Sequence, residues 1–394
     1  MNDTKGIKNI QHIVAGIYIH IPFCKQACYY CNFHFSTSLA LKDEMLTALI
    51  REIQLSSADF INDKNEKESI ETIYFGGGTP SLLNIPEIKF LLNTIRKDFS
   101  ISDDAEITLE ANPDDISAEK IAAWKRTGIN RLSIGIQSFI EDDLQWMNRA
   151  HNTSQALESI RLTTEAGFNN FSIDLIYGTP GLTDEEWKMN VEKVIALSVP
   201  HVAAYALTVE PKTALQKMIT LKKKKDVDTD DQARQFKLLM SWMKEAGYEH
   251  YEISNFAKPG FRSRHNSSYW QGKKYLGIGP SAHSYNGSSR RWNVANNALY
   301  IQSLQNNIIP FEQEKLNGTQ RLNEYIMTSL RTMEGLNLKF VEKNFSMKER
   351  ERIEDLASNY SQRKLMMREN ENFVLTEEGK LFADGIAADL FATD

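Results

Sequence analysis

The first half of the chain alternates between short apolar, β-branched segments and amphipathic segments of helical period. Strand-like segments cover residues 17–21, 72–75, 107–110, 132–136, 171–176 and 202–207, and helix-like segments cover residues 42–55, 85–99, 118–127, 154–166 and 184–196. Strands that alternate with helices pair in parallel through right-handed crossovers. The pattern therefore predicts an α/β sheet or partial barrel built from six strand–helix units.

Glycines and polar residues stand at or near the ends of these predicted strands. In sheets of this class the carboxyl ends of the strands usually carry the functional site. The sequence places residues 76–79, Glu110, Gln137, Asp174 and Ala206 there. We therefore expect one functional face at this edge of the sheet.

All three cysteines of the 394-residue chain lie in one short loop after the first predicted strand, at Cys24, Cys28 and Cys31. Three thiolates leave one position of a tetrahedral or cubane site open, and open positions are where metal chemistry occurs. We favour an iron–sulfur cluster whose free iron binds S-adenosylmethionine (SAM). The alternative is zinc with His20 or His34 as a fourth ligand, but zinc modules usually pair two ligand clusters and the sequence has no second one.

The composition narrows the class of protein. A hydrophobic share of 41% can build a sizeable core, and a net charge of -6 disfavours broad nucleic-acid binding. No apolar run approaches the length of an integral membrane span, and the first residues lack the pattern of a secretory signal. We therefore expect a cytoplasmic protein, in which reduced thiols serve as metal ligands.

The pattern divides the chain into three regions. Residues 1–230 form the predicted barrel with its cysteine loop, residues 231–317 a connecting region, and residues 318–394 a C-terminal module. Within the connecting region, residues 256–285 are rich in Gly, Ser, Asn and aromatics and are predicted to be irregular and functional. The lysine run at residues 222–225 is interpreted as a solvated loop rather than a basic docking patch.

The C-terminal module is predicted to be an α+β, winged-helix-like unit. Two amphipathic helices precede a hairpin at residues 365–368 and 372–375, and a final helix begins after Thr376. Winged helices often bind DNA, but the acidic residues Glu377 and Glu378 speak against this. A packing or lid role is the better interpretation.

The cysteine spacing with the aromatic Tyr30 is the radical-SAM signature, and Tyr-Ile-His-Ile-Pro-Phe at residues 18–23 narrows it. From about Gly16 to the C-terminal module, the chain resembles the family of oxygen-independent coproporphyrinogen III oxidases and radical-SAM heme chaperones (HemW type). The resemblance implies a partial (β/α)6 radical-SAM barrel, a [4Fe-4S] cluster on the three cysteines, SAM and a porphyrin-type partner.

The resemblance also implies the SAM contacts. The glycine run would present backbone N–H groups to the amino-acid part of SAM, Glu110 would bind the ribose hydroxyls, and Ala206 would offer its backbone to the adenine. A rim ion pair is the alternative for Glu110. The implied set is Tyr18, Tyr30, Gly77, Gly78, Thr79, Glu110, Gln137, Arg149, Asp174 and Ala206.

Three features separate the branches of this family. The oxidases carry a further cysteine two residues after the third, where this chain has Phe33, and they have a longer N-terminal extension. The segment from His265 to Trp270 matches the H-N-x-x-Y-W motif associated with heme in the chaperone branch. A neutral imidazole can ligate heme iron, and aromatics offer a flat apolar surface. The implied heme residues are His265, Asn266, Tyr269 and Trp270.

Other interpretations of the motif remain open. His265 could be a loop histidine that holds backbone groups while the aromatics pack into the core. Arg262 and Arg264 are candidates to face the heme propionates. His283 is a weaker second candidate as a ligand.

The leading hypothesis is a chaperone that binds heme and transfers it to an acceptor protein that the sequence does not name. The first alternative is an enzyme that decarboxylates the propionates of coproporphyrinogen III by radical chemistry. The second is a zinc-stabilised interaction protein. The sequence leaves open whether SAM is cleaved and whether the chain forms a homodimer.

Overall fold

The computed structural model describes residues 14–57 and 68–393. Their dominant feature is a twelve-stranded sheet whose six central strands are parallel and follow chain order. The prediction of a partial barrel of six strand–helix units is confirmed. The central strands are β1 (Val14–Ile21), β2 (Ser69–Gly77), β3 (Ser100–Ala111), β4 (Arg131–Gln137), β5 (Phe171–Tyr177) and β6 (His201–Ala206).

Helices connect these strands and cover the outer face of the sheet. Three of them begin at capping boxes at Asn84, Asn152 and Thr183. In each, the cap side chain accepts the backbone N–H of the third helical residue, and the cap's own backbone N–H donates to the side chain of that residue. The sequence pattern did not predict the short helices α4 and α7. The helices are α1 (Lys42–Ser56), α2 (Ile85–Asp98), α3 (Ala118–Thr127), α4 (Glu141–Trp146), α5 (Thr153–Glu165), α6 (Asp184–Ala196), α7 (Ala214–Thr220) and α8 (Thr229–Glu245).

The region after α8 extends the same sheet at both edges. Two strands continue it beside β6, while four continue it beside β1, where the first of the four pairs in parallel with β1. The prediction that residues 256–285 are irregular was therefore wrong. The elements are β7 (Glu249–Glu252), β8 (Asn255–Ala257), α9 (Arg264–Trp270), β9 (Lys274–Ile278), β10 (His283–Tyr285), β11 (Ser289–Asn293), α10 (Asn297–Gln305) and β12 (Phe311–Lys315).

The two faces of the barrel strands differ in polarity. Along β3, Ile107 and Leu109 point outward into the apolar core beneath the helices, so the alternate residues Glu106, Thr108 and Glu110 point inward. The space enclosed by the inward-facing residues of β1–β6 is called the lumen below. Because it is lined by polar groups, these groups must bond to one another or to a ligand.

A buried carboxyl group fastens the β9–β11 edge to the barrel. Glu52 of α1 is fully buried, and it accepts hydrogen bonds from the backbone N–H of Gly279 at 2.7 Å, from the Asn293 amide at 2.7 Å and from the Tyr300 hydroxyl. Burial raises the pKa of this carboxyl. The network fixes α1 against the extended part of the sheet.

The C-terminal module has its own apolar core, and the predicted helices and hairpin are present. Its acidic residues pair with the barrel: Glu377 with Lys244 at 3.0 Å and Glu378 with Lys237 at 2.8 Å. These contacts support the packing role. Its elements are α11 (Gly318–Leu330), β13 (Leu336–Asn337), α12 (Leu338–Asn344), α13 (Met347–Gln362), β14 (Met366–Glu369), β15 (Asn372–Leu375), α14 (Glu377–Lys380) and α15 (Ala383–Asp389).

No helix in the described part of the chain combines the length and the apolar character needed to cross a membrane. Residues of α8 and of β8 and β9 belong to the same apolar core as the barrel, and residues of the C-terminal module form a second apolar core. The domain boundaries predicted at residues 230 and 318 stay predictions.

Replacing the buried carboxyl of α1 tests its role in the fold. We expect Glu52→Ala to lower the free energy of unfolding by about 3 kcal/mol, since buried donors left without an acceptor cost about 1–3 kcal/mol each. Urea denaturation followed by circular dichroism measures the loss. The exposed Glu44 lies on the same helix, and Glu44→Ala should change the value by less than about 0.5 kcal/mol. Equal effects of the two substitutions would contradict the assignment.

Candidate functional site

The cysteine loop is held at both ends by backbone hydrogen bonds. The N–H of Cys24 donates to the carbonyl of Ser36 at 3.0 Å, and the N–H of Ser36 donates to that of Pro22 at 2.9 Å. The N–H of Tyr29 donates to the carbonyl of Met147, which follows α4, at 3.2 Å. The loop is thus fixed over the carboxyl ends of the strands, and its three cysteines are partly exposed and unpaired.

The guanidinium of Arg149 contacts one cysteine and donates hydrogen bonds to the barrel wall. Its Nη1 lies 3.2 Å from the Sγ of Cys28, and its Nη2 donates to Asn112 Oδ1 at 2.8 Å and to the carbonyl of Gly135 at 2.9 Å. A Cβ at Gly135 would lie 3.2 Å from the guanidinium, so this position needs a very small residue. The guanidinium is therefore held in place beside the sulfur.

A second sulfur contact comes from Thr79, whose hydroxyl lies 3.4 Å from the Sγ of Cys24. Burial raises the pKa of Cys31 to about 11, although a backbone hydrogen bond from Phe33 opposes this shift, so its free thiol keeps its proton and loses it when a metal binds. Donors directed at sulfur favour the negatively charged form. The set of three thiols, each with a hydrogen-bond donor beside its sulfur, fits an iron–sulfur cluster with one iron left open.

The zinc alternative fits less well. Both nitrogens of His20 are engaged, with the Tyr18 hydroxyl at 3.2 Å and the His34 carbonyl at 2.8 Å, and Nε2 of His34 lies 2.7 Å from Asn297 Oδ1. Zinc–sulfur bonds of about 2.3 Å need all donors around one point. In residues 14–57 and 68–393, no three His, Cys, Asp or Glu side chains converge in this way.

Two partly buried carboxyl groups, Glu110 and Asp174, face the lumen near its mouth. Glu110 accepts hydrogen bonds from the Tyr74 hydroxyl at 2.8 Å and from the N–H of Gly77 at 3.2 Å. Burial raises the pKa of Glu110 to about 8, and the like charge of Asp174 contributes. Burial also raises the pKa of Asp174 to about 6, although Arg131 and Arg149 oppose this shift.

The backbone of the glycine run leaves no room for side chains. Gly77 has φ of +105°, and a Cβ there would lie 2.5 Å from the His20 ring, while one at Gly78 would lie 2.6 Å from the carbonyl oxygen of Phe23. The N–H of Gly77 donates to Glu110, and that of Gly78 donates to the Ile21 carbonyl at 2.9 Å. The contact of this run with SAM stays a prediction, and in the arrangement described here both N–H groups bond within the protein.

The structure brings the whole set of predicted SAM residues to one end of the barrel. They lie on the cysteine loop, at the carboxyl ends of the strands or within three residues of those ends, except Thr79 and Arg149, which follow β2 and α4. Gln137 ends β4 with φ of +66°, and Ala206 ends β6 opposite Tyr177. Tyr18 stacks on Tyr74 at a centroid distance of 6.1 Å.

The predicted heme motif forms α9, which closes the lumen at its other end. His265 is 1% exposed and contacts Thr72 Oγ1 through Nδ1 at 2.7 Å and the Tyr269 hydroxyl through Nε2 at 2.8 Å. Its ring stacks on Tyr74 at 4.9 Å. Burial lowers the pKa of His265 to about 3, and Arg131 contributes. The imidazole is thus neutral, with both nitrogens engaged.

Of the other motif residues, Tyr269 contacts this ring, while Trp270 and Asn266 contact other parts of the protein. Tyr269 packs edge-on against Tyr275 at 4.6 Å, and the guanidinium of Arg331 lies 5.1 Å from the centre of the Trp270 ring. Asn266 follows the cap residue Ser263, whose hydroxyl accepts the Asn266 N–H at 3.2 Å.

The two arginines before the motif are engaged elsewhere. Arg262 pairs with Glu249 at 2.9 Å and with Glu334 at 2.8 Å, and Arg264 pairs with Asp104 at 3.2 Å. The suggestion that these arginines face the heme propionates stays a prediction, and in this arrangement both pair with carboxylates of the protein.

Comparison with known proteins agrees with this geometry. Residues 18–194 match the radical SAM superfamily, and residues 316–382 match the HemN C-terminal domain. Heme chaperone HemW of Mycobacterium tuberculosis is 34% identical over 380 residues, which cover 95% of this chain and 94% of that protein. Heme chaperone HemW of Bacillus subtilis is 33% identical, covering 95% of this chain and 98% of that protein.

The chain belongs to the HemW family of heme chaperones. Its radical-SAM domain implies a [4Fe-4S] cluster and SAM, and the three cysteines supply the thiol set for such a cluster. The solved structure of the coproporphyrinogen III oxidase HemN from Escherichia coli superposes with a TM-score of 0.83, covering 96% of this chain and 91% of that one. At 23% identity, this likeness shows a shared fold.

Several residues of this HemW-family site were not predicted. Asn112 positions Arg149, and Tyr74 links Glu110 to His265. Glu106 lies below Glu110 on the same face of β3. The polar residues at every second position of β3 could have revealed Glu106 from the sequence, because that period marks one face of a strand.

Loss of one cysteine should remove the cluster. We expect anaerobically reconstituted Cys28→Ala to retain less than about a tenth of the iron and inorganic sulfide of the unchanged protein, because a cubane needs all three thiolates. Chemical analysis measures the iron and sulfide content, and visible absorbance reports the intact cluster. Gln26→Ala changes the same loop without removing a sulfur and should keep full iron. A cluster retained in Cys28→Ala would exclude Cys28 as a ligand.

The pKa of Glu110 predicts a pH-dependent stability. Its folded value of about 8 lies above the ordinary value of about 4.3, so the metal-free folded state binds the extra proton, and stability falls as pH rises between these values. Glu110→Gln lacks this titration. The Tm of Glu110→Gln minus that of the unchanged protein should therefore rise from pH 5 to pH 8 and level off above about pH 8. A difference independent of pH would show that Glu110 titrates normally.

Proposed function

We propose that this protein binds heme in the cytoplasm and transfers it to an acceptor protein, with a [4Fe-4S] cluster on Cys24, Cys28 and Cys31 and SAM at the lumen mouth. The near full-length likeness to relatives named heme chaperone HemW carries this proposal. The reducing cytoplasm would keep the three thiols available for the cluster.

The residues of the lumen mouth have distinct roles in this proposal. The three thiolates hold the cluster, which supplies electron-transfer chemistry and an open iron for SAM. Arg149, held by Asn112 and Gly135, stabilises the sulfur of Cys28 and offers positive charge to the SAM carboxylate. Glu110 and Asp174 accept hydrogen bonds from hydroxyl groups of the bound ligand.

The heme ligand in this proposal is His265, supported by Tyr269 and Trp270. In the arrangement described above, both ring nitrogens of His265 are engaged and the ring is 1% exposed. Heme ligation therefore requires α9 to turn out of the lumen. The neutral state of the imidazole suits this role, since only an unprotonated nitrogen can coordinate iron.

Heme titration tests the proposal. We expect the cluster-loaded protein to bind heme with a Soret band, and His265→Ala to weaken binding about tenfold or more and change the spectrum, because the axial ligand is lost. His283→Ala, which removes the second candidate heme ligand on β10, should leave the heme affinity and the spectrum unchanged. A spectrum altered by His283→Ala alone would move the ligand to β10.

A second assay separates carrier from catalyst. Anaerobic incubation with coproporphyrinogen III, SAM and a reductant should yield no protoporphyrinogen. Phe33, which is 66% exposed on the cysteine loop, stands where the oxidases of the resembling family have their additional cysteine. Turnover in this assay would favour the oxidase.

A further inference from the structure

We propose that Glu106 and Arg131 form a latch at the base of the lumen. The latch holds α9 in the closed arrangement, with His265 inside the lumen, and stabilises the open arrangement of α9 when heme binds. This inference rests on the proposed function, because it concerns how the buried ligand of heme becomes available. Glu106 bonds to the backbone at the start of the motif and Arg131 lies beside Glu106, so both act as positioning residues.

Glu106 is the acceptor for the beginning of α9. Its Oε2 accepts the backbone N–H of Arg264 at 3.2 Å, and its Oε1 accepts that of His265 at 3.1 Å. The first N–H groups of a helix have no partner within the helix and need one elsewhere. These two hydrogen bonds fix the backbone that carries the imidazole. Glu106 is 4% exposed, so they are shielded from water.

Arg131 lies beside this carboxylate but is poorly paired. Its Nε is 3.9 Å from Glu106 Oε2, and the residue is 1% exposed. Within residues 14–57 and 68–393, neither Nε nor Nη2 of Arg131 has a hydrogen-bond partner. A buried guanidinium with unused donors is unfavourable, since its lost hydration is not replaced. The closed arrangement therefore leaves two donors of Arg131 without hydrogen bonds, although its charge also acts on the carboxylate of Asp174.

The helix and the arginine compete for the same carboxylate. While Glu106 accepts two N–H groups of α9, it cannot also make the close two-pronged pair that carboxylates form with guanidinium groups. Once α9 moves away, both oxygens of Glu106 become free for Arg131. The new ion pair offsets part of the loss of the α9 contacts, which gives the lumen base two alternative arrangements.

The closed arrangement has no space for heme at His265. A Cβ at Gly16 would lie only 2.9 Å from His265 Nδ1, so β1 packs directly against the ring, and Tyr74 covers one face of it. The contact with Thr72 exists only while the ring is inside. A ligand that binds only the open arrangement shifts the equilibrium toward it, and its apparent affinity falls with the closed fraction.

Two substitutions should move this equilibrium in opposite directions. Thr72→Val keeps the shape of the side chain but removes the hydroxyl partner of His265, so it should favour the open arrangement. Arg131→Met removes the under-paired charge from the closed arrangement and the ion pair from the open one, so it should favour closure. Arg131→Lys keeps the charge without the two-pronged geometry and should lie between the unchanged protein and Arg131→Met.

Hydrogen exchange and heme association test the latch together. In heme-free protein, the amides of Arg264 and His265 should exchange about tenfold faster in Thr72→Val and about tenfold slower in Arg131→Met, and stopped-flow heme association should follow the same order. Asp104→Asn alters a surface contact of Arg264 and should change neither measurement.

The outcomes separate the latch from the function that it serves. If heme binds normally but Thr72→Val and Arg131→Met change the amide exchange in the same direction, or leave it unchanged, the proposed latch is wrong. If the unchanged protein takes up no heme, the proposed function fails, while the exchange measurements still decide whether the latch exists.

Discussion

The structure depends on a polar lumen whose side chains must satisfy one another. The outer faces of the parallel strands pack against helices, while the inner faces carry carboxyl, hydroxyl, imidazole and guanidinium groups. In a site shielded from water, each of these groups needs a partner, or its burial destabilises the fold. Tyr74 is an example of such pairing. Its hydroxyl donates to Glu110 on one side, and its ring stacks on His265 on the other.

The lumen has two chemically different ends. The cysteine loop, Arg149 and the partly buried carboxyls lie at the carboxyl ends of the strands, whereas α9 closes the opposite end. Thr72, the partner of His265, precedes the last residue of β2 by five positions, about 16 Å at the usual rise of a strand. The length of the lumen thus separates the cysteine loop from the heme motif, and Tyr74 contacts residues of both halves.

Hydrophobic period and residue spacing were enough to predict the barrel and its functional face. The six strand positions follow from β-branched segments, and capping residues such as Asn84 and Thr183 explain why the predicted helix starts were accurate. The helix that carries the heme motif was missed. Its residues, Arg-His-Asn-Ser-Ser-Tyr-Trp, have weak helix propensity, and tertiary contacts such as those of Glu106 stabilise it instead.

The sequence by itself determined the fold class, the three-thiol site and the strand ends that form the lumen mouth, because these depend on local period and on spacing within one loop. Only the tertiary structure decided which polar groups meet. The engagement of the glycine N–H groups, the occupied arginines before α9, and the burial of His265 beside Glu106 and Arg131 all join residues that are distant in the chain. Such contacts are set by how strands and helices pack, and no local pattern encodes them.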